Sequence, residues 1–172
     1  MFRYIILLCM VISFTCKGYS QLTSASVTGQ AFAEVISALT ATETSQLNFG
    51  KFSPDVHGGQ VSVTPEGMRS TSGTVILGGG TARSGIFYIT GTPDALFSIQ
   101  LPNGPAVLSE KNSGKTMQVD NWVTYPQAGS GTGILVNGQQ FVYLGATLNV
   151  GSLIDNPAGM YSGAFSLTFA YN

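Results

Sequence analysis

The segment Gly159–Asn172, GMYSGAFSLTFAYN, places Tyr161, Phe165, Leu167, Phe169 and Tyr171 on one side of an extended chain. Ser162, Ala164, Ser166, Thr168 and Ala170 fall on the other. Alternation with a period of two belongs to a strand with one face against a core, because successive side chains leave a strand on opposite faces. A helix would scatter the same five groups around its circumference. A ladder of large apolar side chains has to be covered, either by the chain's own sheets or by another chain. Full burial of all five would contribute on the order of 8–15 kcal/mol as an upper figure, as much as the net stability of about 5–15 kcal/mol typical of a domain. A chain truncated after Gly159 is therefore expected not to fold.

Similar short alternations, separated by Gly, Pro, Asn and Asp, recur from about residue 30 onward with no helical stripe among them, which predicts an all-β, two-sheet sandwich of about nine strands. The expected strands are 31–42, 60–64, 71–77, 85–90, 96–101, 116–124, 133–136, 140–150 and 159–171. The breaks between them include Gly78-Gly79-Gly80, Pro93-Asp94, Pro102-Asn103-Gly104 and Asn156-Pro157. Asn137-Gly138 is the strongest hairpin signal, since a type I′ turn needs positive φ at both central residues. It should join strand 133–136 to strand 140–150.

Hydrophobic residues at 44% and charged residues at 9% describe a globular chain of low charge, not a disordered one. At the N-terminus, Arg3 precedes an apolar run from Tyr4 to Phe14 that is too short to span a bilayer and reads as a secretory signal over residues 1–20. Cleavage after Ser20 leaves Gln21 first; acylation at Cys16 is the alternative. Cys9 and Cys16 both lie in the signal, so the cleaved chain has neither thiol nor disulfide. Residues 21–29 then form a flexible lead or a donor segment, and 30–172 the domain.

Without residues 1–20, five cationic side chains face eight carboxylates, a net charge of −3. Such a surface has no basic footprint for nucleic acid or an anionic membrane, and no membrane span is expected in the mature chain.

Catalytic, cofactor and metal sites are all expected to be absent. His57, the only histidine, has no cysteine or second histidine in the mature chain to share a metal or a proton with. No G-x-S-x-G elbow accompanies it. Glu66, Asp94, Glu110 and Asp155 sit beside turn residues, which suits solvated acids better than a glycosidase pair. The stretch 77–85, LGGGTARSG, lacks the lysine and the helix of a phosphate loop and is expected to be a hairpin connection. Trp122, the only tryptophan, forms with Tyr125, and with Tyr88 further away, a candidate stacking platform for a glycan; core packing is the competing reading for Trp122.

LNFGKFSP (47–54), VTPEGMRS (63–70), LGGGT (77–81), FYITGTP (87–93), FSIQLP (97–102), TMQVDNW (116–122), LGATLNVG (144–151) and the terminal PAGMYSGAFSLTFAYN (157–172) together resemble the DUF4402 family. Members are exported bacterial proteins of undefined activity, similar in appearance to spore coat U and chaperone-usher pilin domains. The resemblance implies an immunoglobulin-like, pilin-like sandwich located outside the cell, at its surface or in the periplasm. It also implies a non-catalytic, fimbria-like structural role. Pilin subunits carry a glycine fourteen residues from the end and a penultimate tyrosine, positions held here by Gly159 and Tyr171. By that likeness Gly159, Tyr161, Gly163, Phe165, Leu167, Phe169 and Tyr171 form an assembly strand, whose cover is a strand donated by a second copy or a related subunit.

Ala25, Val27, Gly29, Ala31, Ala33 and Val35 alternate with polar or larger residues and form the candidate donor face. The other reading makes 31–42 the domain's own first strand. A self-contained module binding a glycan or a host protein is the alternative function.

Overall fold

A computed structural model describes residues 24–172. The predicted signal, with Cys9, Cys16 and the cleavage point at Ser20, lies outside the described residues, as does the start of the lead at 21–23. From 24 to 34 the described chain is exposed and has no helix or strand. Val35–Asn172 forms one compact unit.

The described fold is all-β. Its strands are β1 (Thr40–Ser45), β2 (Phe52–Ser53), β3 (Gly59–Val63), β4 (Arg69–Gly73), β5 (Ile76–Leu77), β6 (Gly85–Thr90), β7 (Leu96–Gln100), β8 (Ala106–Glu110), β9 (Thr116–Tyr125), β10 (Gly129–Ile134), β11 (Gln139–Val150), β12 (Tyr161–Ser162) and β13 (Thr168–Tyr171). They distribute over three sheets. An 8-stranded sheet runs β1-β6-β11-β9-β8-β12, with β3 also on β11 and β4 outside β3; a 3-stranded sheet runs β10-β7-β13; and β2 pairs with β5 in a ribbon.

The long strand β11 organises the large sheet. Its first half pairs with β6, its second half with β3, and its other edge with β9. Val142, Leu144, Ala146, Leu148 and Val150 all point into the core, as a period of two requires. The core has two parts. Ile89 and Val142 of the large sheet meet Phe97 and Ile99 of the small sheet and Leu135. At the other end, Val61, Val119, Leu148 and their neighbours are covered by Phe49 and Val75, with Phe52 of the ribbon packed alongside.

Several expectations change. Residues 31–39 are not a strand: β6 ends at Thr90, whose partner is Thr40, so the preceding chain runs past the end of the sheet with nothing to pair. The Asn137-Gly138 turn forms, with φ of 53° and 81° and a bridge from Val136 to Gln139, but β10 and β11 diverge at once into different sheets. The 77–85 stretch is no hairpin, since β5 pairs with β2 whereas β6 pairs with β1 and β11. The terminal segment divides into β12, on β8 of the large sheet, and β13, on β7 of the small one. The predicted strand 71–77 likewise splits into β4 and β5, while β2 and β8 lie where no strand was expected.

Candidate functional site

Alternation along the terminal segment is preserved in the fold. Tyr161, Phe165, Leu167, Phe169 and Tyr171 are half-buried, while the residues between them are exposed. None of the five reaches full burial, so their contribution falls below the upper figure for a sealed strand. Tyr161 packs on one part of the core, and Leu167, Phe169 and Tyr171 on the other. Between them Phe165 lies against Trp122, ring centres 4.9 Å apart, and edge-on to Phe87 at 6.4 Å.

Residues 163–167, between β12 and β13, belong to no strand. Beside them a groove of about 1110 Å³ opens between segments 46–54 and 159–165, floored by Leu108, Met117 and Trp122 and walled by Leu47, Phe49 and Phe165. Arg69 of β4 braces one wall. Its Nη1 donates to the carbonyls of Phe49 (3.1 Å) and Lys51 (3.3 Å), and Nη2 to that of Gly78 (3.2 Å). A planar guanidinium fork can serve several acceptors at once.

The two glycines that the sequence singles out are places of close approach. A Cβ on Gly163 would collide with the Val107 carbonyl of β8, and one on Gly159 with the Glu110 side chain. At the far end the penultimate tyrosine is anchored by its phenol: Thr92 N donates to Tyr171 Oη (2.7 Å), and Tyr171 Oη donates to the Ser37 carbonyl (2.8 Å).

The family model described as "Domain of unknown function (DUF4402)" matches residues 39–171. The chain belongs to the DUF4402 family. No curated protein and no solved structure matches it.

Trp122 and Tyr125 of this DUF4402 domain do not form a platform. A bulge in β9, opposite Gly145 and Thr147, turns Trp122 and Thr124 inward and leaves Val123 and Tyr125 outward. The Trp122 indole donates to the Gly104 carbonyl (3.1 Å) and helps floor the groove. Tyr125 is 64% exposed on the opposite face.

The candidate donor residues Ala25, Val27, Gly29, Ala31, Ala33 and Val35 are exposed, Val27 at 96% and Val35 at 97%. His57 occupies an exposed turn, and among the described residues no three His, Cys, Asp or Glu side chains gather as metal ligands would. No helix among them is long and apolar enough to cross a membrane.

Glu66, Asp94 and Asp155 are exposed acids, but Glu110 is buried. Its carboxylate accepts from Ser113 N (2.6 Å), Asn112 N (2.9 Å) and Asn112 Nδ2 (3.1 Å). These bonds, led by those from Ser113, hold its pKa below the ordinary 4.5. Burial, with Glu110 nearby, pushes the Tyr161 phenol up. The acid is a turn cap for residues 111–114, a role that flanking turn residues do not distinguish from a solvated position.

Proposed function

We propose that this DUF4402 protein is an exported, non-catalytic, fimbria-like structural subunit of a bacterial surface, an immunoglobulin-like sandwich completed by a strand from a second copy or a related subunit. The observation that carries the reading is the groove beside 163–167, where an apolar ladder is only half covered and the backbone belongs to no strand. An extended peptide that adds to such an edge supplies main-chain hydrogen bonds and fills the pockets with alternate side chains. The exposed face of Ala25, Val27, Gly29, Ala31, Ala33 and Val35 has the matching period. Its small side chains suit a groove already holding Phe165 and Trp122.

Size-exclusion chromatography with light scattering tests the reading, together with a peptide of residues 21–36. The peptide is expected to raise the melting temperature and, because Trp122 helps floor the groove, to shift the tryptophan emission. A protein that stays monomeric at high concentration, and neither gains stability nor changes its emission with the peptide, does not assemble by strand addition.

A further inference from the structure

The outer face of the large sheet carries a feature that the groove does not use. Across three adjacent strands Ile86 of β6 stands opposite Tyr143 of β11, and Tyr143 opposite Tyr125 of β9; in the next row Tyr88 stands opposite Phe141. All five alternate with core-facing neighbours and so share one surface. The Tyr88 and Phe141 rings are 4.9 Å apart, tilted by 38°. Tyr125 is 64% and Phe141 45% exposed, with Val123 beside them at 53%.

The other end of the same sheet is polar: Gln60 Nε2 donates to Asn149 Oδ1 (2.8 Å), and Asn149 Nδ2 to Asp120 Oδ2 (2.8 Å). The rings are thus segregated at one end, bordered by Thr42, Thr90 and Gln139, and every one of these side chains is neutral.

We propose that this aromatic face binds an uncharged glycan, stacking successive sugar rings on the Tyr88–Phe141 and Tyr143–Tyr125 pairs. A sugar ring has an apolar C–H face and a rim of hydroxyls, and the surface offers both complements: exposed aromatic side chains, and phenol, hydroxyl and amide groups beside them. The pairs stand two residues apart along β11, roughly 7 Å, on the scale of one sugar to the next. Absence of charge leaves nothing to attract an acidic glycan, a nucleic acid or an anionic headgroup. Six large side chains also fall far short of the roughly 20–30 residues per side of a stable protein interface. The face is separate from the groove, so it stands whether or not the subunit assembles by strand addition.

The test is calorimetric titration of the native protein with neutral hexasaccharides of glucose, N-acetylglucosamine, mannose and xylose, and with a heparin hexasaccharide. At least one neutral sugar is expected to bind and heparin is not. Tyr125→Ala weakens that binding about tenfold, as does Phe141→Leu, which keeps apolar volume but removes the ring. Trp122→Phe, on the opposite face, leaves sugar binding unchanged. The proposal is overturned if no neutral hexasaccharide binds, if only heparin binds, or if Tyr125→Ala and Phe141→Leu, still folded by circular dichroism, bind as well as the parent. It also falls if those variants lose self-association and the parent binds no sugar, which makes the face a protein interface.

Discussion

Glu110 and Gly163 show how single positions hold the terminal segment in place. Because hydrogen bonds depress the Glu110 pKa in the fold, its contribution is complete above the unfolded value of about 4.5 and is lost as pH falls through the lower folded value. Glu66 and Asp155, also depressed, act in the same direction. The melting temperature is therefore expected to be flat from neutral pH down to about 5 and to fall below that. Glu110→Gln should be less stable at pH 7 and show a shallower acid decline; an unchanged acid limb removes Glu110 from this role.

Gly163→Ala sets a methyl against the rigid Val107 carbonyl and is expected to cost about 1–3 kcal/mol by denaturant unfolding. Gly159→Ala meets the flexible Glu110 side chain instead, and should cost less. Equal costs would show that β8 yields as easily as a side chain.

Among the elements, β2 with its flanking chain and the terminal segment frame the groove. Arg69→Lys keeps the charge but cannot reach the carbonyls of Phe49, Lys51 and Gly78 together. Hydrogen exchange should quicken at Gly78, whose N–H donates to the Lys51 carbonyl, and at Lys51, whose N–H donates to that of Gly79, with little change in the β9–β11 pairing. Truncation after Gly159 removes side chains from both parts of the core, and such a chain is expected to give no cooperative melt.

Legibility varied among these elements for physical reasons. The terminal alternation was readable because each large group stayed on the core side through two different sheets. The change of sheet was not, because period and face are the same whichever neighbour supplies the ladder. The Asn137-Gly138 turn followed from its φ requirement, whereas the divergence after it depends on distant partners. Trp122 and Tyr125, three residues apart, fall on opposite faces of any regular strand; that Trp122 is the inner one hinges on one extra residue in β9, which inverts the faces beyond it and leaves no mark in a pattern read at a fixed period.

For the whole molecule, the bond from Tyr171 Oη to the Ser37 carbonyl joins residues 134 apart in sequence. Both ends of the compact unit therefore meet, and each part of its core needs side chains from the terminal segment. Pairings this remote close large loops before they yield contacts, which places refolding in the range of about milliseconds to seconds. Stopped-flow fluorescence of Trp122 measures it directly, and microsecond refolding would mean that the core forms without its remote pieces. The consequence is one of timing. A chain that has every strand up to β11 but lacks the terminal segment has no complete core, so folding waits until β12 and β13 are available.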